Sequence, residues 1–323
     1  MVVLNQYIYS RLSPESVQAH LEHHYDLSPI KSCVFYVFGL HDNYLVKTEE
    51  SQFILRLYRN QWRNADEVFF ELELLNYLKQ QAQAVASPLH TKAHELAFEI
   101  QSPEGVRFSA LFNYADGKGL TQEISTQESE LLGTTIANIH SATGDFKTTH
   151  KRNELNLTYL LDESVELIAP FINAEKQEFL TEIQKKLHKQ LLPITQSDAD
   201  FGICIGDVNQ SNFHINTSKQ ITVFDFDQCG YGYRAFEVGK FSSSLFRSPN
   251  KKQLTKAFLK GYETVRKLST VEKNAIPYFE IAATIWVMSI RVANEDKVGH
   301  LHLEEGYWNQ RFAILEALDK QVS

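Results

Sequence analysis

The sequence predicts an α+β chain built as two lobes, a small β-rich one followed by a larger, mainly helical one. Three observations carry this expectation. Strand-like runs crowd the first 114 residues, with one long helical pattern among them. A polar, Gly-rich segment, Ala115-Asp116-Gly117-Lys118-Gly119, then reads as a linker. Beyond it the apolar spacing is helical almost to the end, apart from one β-like insert at 203–227.

Taken in order, Ser13-Pro14 opens the first helix, Ser as N-cap and Pro at the first helical position. Residues 33–38 and 44–48 read as two strands around Gly39-Leu40-His41-Asp42-Asn43, and 51–59 as a third. In that third strand, alternation places Phe53, Leu55 and Leu57 on one face and Ile54, Arg56 and Tyr58 on the other. Residues 65–80 switch to helical spacing, with Phe69, Leu72, Leu75 and Leu78 along one side. Strand-like runs at 95–101 and 107–114 flank the turn Pro103-Glu104-Gly105. After the linker, 128–143, 160–172 and 175–192 read as helices, and helices resume beyond 227 as far as Leu318.

A length of 323 residues fits two lobes, and 43% apolar residues can supply a sizeable core. With 32 Lys+Arg against 40 Asp+Glu the net charge is −8, a poor basis for nucleic-acid binding. That balance suits a cationic or polyhydroxylated partner without identifying one. Cys33, Cys204 and Cys229 have no zinc-ligand spacing and are odd in number, so a reducing cytoplasm is expected. The first apolar residues are not preceded by Lys or Arg, so the charged start expected of a signal peptide is not seen. The most apolar stretch, 281–290, is short of a membrane span, and no membrane partner is expected. The pairs His23-His24 and His300-x-His302 read as solvated histidines, since no ligand set completes them.

The densest polar cluster in an apolar setting is Ile205-Gly206-Asp207-Val208-Asn209-Gln210-Ser211-Asn212-Phe213, followed by Val223-Phe224-Asp225-Phe226-Asp227. Each Asp stands where a β-prone run gives way to a loop. Carboxylates are costly to bury unpaired, so such a set implies a cation or a network of donors. Carboxylate, carboxamide and carboxylate suit a hard cation such as Mg²⁺, which commonly shares its oxygen ligands with phosphates. A metal-binding D-x-D of a nucleotide-sugar transferase would need an α/β nucleotide domain upstream, and that strand–helix alternation is missing.

The spacing from Asp207 to Asn212, with Asp225 beyond, resembles the catalytic loop and metal-binding Asp of the protein-kinase-like superfamily. The wording is most similar to its aminoglycoside phosphotransferase branch, which also holds choline kinases and type II homoserine kinases. That branch reads H-G-D-x-x-x-x-N and then I-D-F-D, against IGDVNQSN and VFDFD here. Residues 55–59 resemble its third strand, Glu71 the glutamate of its helix C, 111–117 its hinge, and 132–140 the first helix of its large lobe.

The resemblance implies a bilobal protein-kinase-like fold, with residues 1–114 as nucleotide-binding lobe and 115–323 as catalytic and substrate-binding lobe. It implies ATP, or alternatively GTP, as phosphoryl donor, Mg²⁺ as cofactor, and a small hydroxylated acceptor. By resemblance Asp207 takes the proton of the acceptor hydroxyl, and Asn212 and Asp225 hold Mg²⁺. Arg56 contacts the α- and β-phosphates and Glu71 fixes it. Ile54 covers the adenine, the hinge around Asn113 and Ala115 holds its edge, and Asn43 lies in the loop that folds over the phosphates. A protein Ser/Thr kinase and a nucleotide-binding pseudokinase scaffold are the alternatives. Three positions depart from the branch pattern: Ile205 stands for His, Arg56 for Lys, and Glu237 for Asp. His140 and Trp286 read as core residues, Asp227 as a supporting carboxylate, and Glu295-Asp296 and Glu304-Glu305 as solvated faces.

Overall fold

The computed structural model describes residues 5–197 and 199–322. They form two compact units. The first takes in the chain up to Asp116 together with 146–152 and 222–227; the second takes in 117–145, 153–221 and the chain from 228 onward.

In the first unit, α1 (Pro14–His24) begins where Ser13 accepts the N–H of Ser16. It is followed by β1 (Ile30–Phe38), β2 (Asp42–Thr48), β3 (Gln52–Leu57), α2 (Ala65–Gln80), β4 (Phe98–Ser102) and β5 (Gly105–Asn113). The strands make one antiparallel sheet of order β1-β2-β3-β5-β4. The alternation expected for β3 is present: Phe53, Leu55 and Leu57 are buried with Val17 and Leu21 of α1 and with Tyr44 and Val46 of β2. Arg56 therefore lies on the opposite face of the sheet. β4 starts at Phe98 rather than at 95, because Thr91 N–H donates to Glu95 O and closes a turn first. Asn64 and Glu67 cap α2 reciprocally, and the helix buries Val68, Leu72, Leu75 and Leu78 along with one carboxylate, Glu71.

The second unit holds α3 (Thr126–Ala142), α4 (Glu163–Ile168), α5 (Ala174–Thr195), β6 (Phe201–Cys204), β7 (Phe213–Ile215) and β8 (Ile221–Val223), where the chain passes to the first unit. Beyond residue 228 come β9 (Gly230–Tyr233), α6 (Phe236–Ser244), α7 (Lys251–Tyr262), α8 (Thr270–Val292), α9 (Glu295–Val298) and α10 (Glu305–Gln321). The helix expected at 160–172 is broken into a π turn at Thr158–Asp162, the short α4 and a 3₁₀ turn at Ala169–Phe171 that contains a proline. β6 pairs with β9, a strand outside the expected insert, in the register Phe201↔Tyr233 to Cys204↔Gly230. Gly-Tyr-Gly-Tyr carries little strand propensity, and its pairing with β6 overrides that.

Helices α3 and α7 approach through glycines: a Cβ at Gly133 would meet Phe258 O at 2.0 Å, and one at Gly261 would meet Glu130 O at 1.8 Å. The apolar stretch at 281–290 belongs to the longer α8. Among the described residues this 23-residue helix is apolar enough to cross a membrane, with mean hydropathy 1.3 over its best window. Yet 72% of that window is buried inside the protein, and Trp286 is 1% exposed, so α8 serves as a core helix.

Candidate active site

The first unit builds a cation held between two carboxylates. Alternation in β3 turns Arg56 away from the α1 side, and two other segments meet it there. Arg56 Nη1 donates to Glu71 Oε1 of α2 at 2.9 Å, and Nη2 donates to Asp225 Oδ1 at 3.0 Å. The ring of Phe112, in the neighbouring strand β5, lies 5.4 Å from the guanidinium carbon. Tyr58 completes Glu71 by donating its hydroxyl to Oε2 at 3.1 Å. Burial pushes the Glu71 carboxyl up, against the pull of the Arg56 charge. Burial also opposes the Arg56 charge, but Asp225 and Glu71 more than offset it and raise its pKa. The pair is a largely buried anchor whose outer end is Asp225, 41% exposed.

Asp225 reaches Arg56 because the end of β8 is stitched to residues 84–86. Val223 N–H donates to Ala84 O, and Ala86 N–H to Val223 O, each at 3.0 Å. Two residues on, Asp225 adopts φ +65°, a left-handed conformation that Asp tolerates better than most side chains. Its neighbour Asp227 is 2% exposed and saturated with donors. His41 Nε2 lies 2.8 Å from it, and Trp62 Nε1 and Arg63 Nε each donate at 3.0 Å. Burial would raise the Asp227 carboxyl, but Arg63 and His41 hold it well below the usual range. Asp227 thus has the geometry of a supporting carboxylate.

Asn43 falls inside β2 rather than in the preceding loop, a correction to the sequence reading, and stands directly across from Arg56 in the β2–β3 register. Its Oδ1 accepts from Arg56 Nε at 3.5 Å. The loop is shorter than expected because pairing with β3 starts at Asp42↔Leu57. Ile54 is half-buried on the Arg56 side of β3, between Leu45 and Phe112. Asn113 ends β5, its N–H donating to Ser87 O at 3.0 Å and its side chain to Ser87 Oγ at 3.2 Å. Ala115, just beyond, is buried.

The second unit builds the catalytic loop. β6 ends in buried Ile203 and Cys204, and Glu237 at the start of α6 accepts the N–H groups of Ile205 and of Gly206, the latter at 3.1 Å. Gly206 has φ +85°, and a Cβ there would meet Gln228 O at 2.1 Å, so the loop needs glycine. Ile205 is 1% exposed and fills by packing the place where the resembled branch carries His. His140, fully buried as expected, pairs Nδ1 with the Tyr262 hydroxyl at 2.8 Å, and its Nε2 lies 3.7 Å from Glu237. The potential ligand atoms of His140, Cys204 and Glu237 come within 4.8 Å of one another, a grouping that spacing along the chain did not signal. The hydrogen bonds of Glu237 and His140 give that cluster a structural use as the anchor of the loop.

Asp207 emerges from this anchor one-third exposed. Lys240 Nζ lies 2.7 Å from its Oδ1. Asn212 Nδ2 donates to its Oδ2 at 3.0 Å and to its backbone O at 2.9 Å. Burial would raise the Asp207 carboxyl; the Lys240 ammonium and the Asn209 and Asn212 amides hold it below the ordinary aspartate value. It is therefore an ionised acceptor at neutral pH. With Nδ2 engaged, the Asn212 carbonyl oxygen is the ligand-type atom of that side chain. Sequence reading missed Lys240, although its position three residues after Glu237 on α6 places both on one helix face. It also missed His41, Trp62 and Arg63 around Asp227, for which no short-range signal exists.

A buried cation–glutamate pair with an Asp at its outer end, and a G-D-x-x-x-x-N loop leaving an ionised Asp, together define a phosphotransferase of the protein-kinase-like fold. Residues 39–272 match the family model described as Phosphotransferase enzyme family, and the chain belongs to that family. It is 36% identical to the Synechocystis sp. protein sll1119 over 96% of this chain and 87% of that one. Among solved structures it is similar to amicoumacin kinase hAmiN, with TM-score 0.79 and 19% identity over 96% and 94% of the two chains. It is equally similar to a microcompartment-associated aminopropanol kinase, with TM-score 0.79 and 20% identity over 94% and 95%. At those identities the likeness is one of fold.

Proposed function

We infer that this kinase moves the γ-phosphate of ATP to a hydroxyl of a small molecule, with Mg²⁺ as the metal. The observation that carries the reading is Arg56 bridging Glu71 and Asp225, at 2.9 and 3.0 Å. A phosphate-binding cation fixed by a helix glutamate and reaching a metal-type Asp is the arrangement phosphoryl transfer needs. In this reading Arg56 contacts the α- and β-phosphates and Glu71 keeps it in place. Ile54 packs on the adenine, the chain around Asn113 and Ala115 holds the adenine edge, and Asn43 orients the Arg56 fork. The hAmiN structure is described with AMP-PNP and Ca²⁺, which supports a nucleotide and a divalent cation here.

By the family resemblance, Asn212 and Asp225 are the residues that would offer oxygen ligands to that cation. Both offer hard oxygen donors, and Asp225 is partly open to solvent, so the residues fit the ion. When bound, Mg²⁺ neutralises charge on the phosphate oxygens. Asp207 accepts the acceptor's hydroxyl proton. The acceptor oxygen forms the new P–O bond as the bond from γ-phosphorus to the β,γ-bridging oxygen breaks, and ADP leaves with that electron pair. A cavity of about 260 Å³ beside Asp207 suits a small acceptor rather than a protein surface.

The test is ADP release from Mg·ATP across a panel of hydroxylated metabolites and aminoglycosides, comparing the natural chain with Asp207→Ala. The variant is expected to bind nucleotide and lose transfer. Unchanged turnover in Asp207→Ala rejects the role.

A further inference from the structure

We propose that the acceptor is a hydroxylated carboxylic acid whose carboxylate is held by Arg311, an inference that rests on the phosphotransfer reading above. The cavity beside Asp207 lies wholly within the second unit, between the catalytic loop and helices α6, α8 and α10. Its charged lining residues, among those described, are Asp207, Lys240 and Arg311. Lys240 is already paired with Asp207 at 2.7 Å, so Arg311 is the cation left to meet a ligand.

Arg311 is built for that task. Its guanidinium carbon lies 5.1 Å from the centre of the Phe246 ring and 5.3 Å from that of Tyr307. Its Nε is buried and has no hydrogen-bond partner. The donors that can meet a ligand are those of the part of Arg311 that lines the cavity. A guanidinium held beside two rings offers a planar pair of donors, which matches planar anions such as carboxylates.

The hydroxyls of α6 and α8 that line the cavity define the rest of the ligand. Ser243 donates to Lys240 O at 2.8 Å, Ser244 to Phe241 O at 2.7 Å, and Thr284 to Glu280 O at 2.8 Å. Each hydroxyl has one hydrogen and gives it to its own helix, so towards the cavity all three only accept. The ligand must bring donors to that side, as a hydroxyl or an amino group does, and an anion to the Arg311 side. The described lining residues offer a polycationic amino sugar a single carboxylate, that of Asp207, whose charge is already balanced by Lys240.

The experiment uses the full chain and ligand-observed NMR titration of matched pairs: glycerate, L-serine and L-threonine against serinamide, threoninamide, 2-amino-1,3-propanediol and kanamycin. The acids are expected to bind more tightly than their amides by about 10- to 100-fold, the worth of one charge-assisted hydrogen bond. Arg311→Gln is expected to erase that preference and Arg311→Lys to restore part of it. Because the acid-to-amide ratio is read on the natural chain, the outcome does not depend on a variant folding. Equal binding of acids and amides, tighter binding of the amino alcohol or kanamycin, or no binding of any acid overturns the carboxylate site. ADP release is read separately. Acids that bind without transfer fault the phosphotransfer reading and leave the Arg311 site standing; transfer confined to the amino alcohol or kanamycin does the reverse.

Discussion

The ion pair between Lys240 and Asp207, 2.7 Å long, is lopsided: the lysine side chain is 4% exposed and the aspartate 33%. Removing either partner therefore has different consequences. Asp207→Asn strands a buried ammonium, an error that costs roughly 3–5 kcal/mol where the charge is fully enclosed. Lys240→Met removes the buried charge and leaves a carboxylate that water reaches. Thermal unfolding is expected to show Asp207→Asn clearly destabilised and Lys240→Met close to the natural chain. Turnover by Lys240→Met is expected to fall about 10- to 100-fold, because Asp207 loses a charge-assisted partner. The opposite order of unfolding temperatures would show that the pair is held by the aspartate side.

Arg56 serves two carboxylates with two separate nitrogens, which a lysine ammonium, as a single point charge, does less well. Arg56→Lys is expected to fold and to raise KM for ATP by about tenfold or more, the worth of one charge-assisted bond. Arg56→Ala leaves Glu71, 1% exposed, without its counter-charge, and is expected to lose roughly 3–5 kcal/mol of stability. Adding Glu71→Gln to Arg56→Ala is expected to recover much of that stability but none of the nucleotide affinity. A double-mutant cycle in denaturant, run beside ATP titration, checks both statements. Additive effects on stability would mean that the two side chains do not interact.

The candidate site residues were not all equally legible in the sequence. Asp207, Asn212 and Asp225 stand out because polar residues in an apolar, strand-ending context are rare, and Arg56 because alternation in β3 opposes it to Leu55 and Leu57. Local patterns also marked α1, α2 and α3, whose caps are short-range chemistry at Ser13, Asn64 and Ser125. What a linear reading lacks is return geometry. Residues 146–152 and 222–227 join the first unit through contacts far apart in sequence, and β9 is a strand because β6 pairs with it. Arg311 was invisible for the same reason, since nothing near it in the chain points to Asp207. Asn43 was misplaced by one boundary, as the β2–β3 ladder extends further than side-chain propensities suggest.

Two buried histidines give the fold a pH dependence whose sign follows from their burial. His41 and His140 are both held below the ordinary imidazole value, by desolvation first, with Asp227 and Glu237 respectively pulling the other way. The unfolded chain takes up these protons near its ordinary pKa of about 6.5, while the native chain refuses them until lower pH. Stability is therefore fully present above about pH 6.5 and declines as pH falls towards the native values, above the range where carboxylates titrate. Melting temperatures measured between about pH 7.5 and 5 are expected to drop. His140→Gln, which keeps a partner for the Tyr262 hydroxyl, is expected to flatten that slope. A melting temperature that stays level or rises on acidification contradicts the assignment of both rings as neutral.

Asp225 combines a backbone requirement with a charge requirement, and two substitutions separate them. Its φ of +65° is tolerated by Asn nearly as well as by Asp, whereas Ala there adds strain of about 1 kcal/mol. Asp225→Asn thus keeps the conformation and removes one negative charge from the proposed metal site, leaving Arg56 with Glu71. Calorimetric titration with ATP is expected to show Mg²⁺-dependent affinity falling at least tenfold in Asp225→Asn, with little difference between variant and natural chain when EDTA removes the metal. Asp225→Ala is expected to show the same loss of affinity plus a lower melting temperature. If Asp225→Asn bound Mg·ATP as tightly as the natural chain does, the aspartate would serve only as a counter-ion to Arg56, and the metal would have to be held elsewhere.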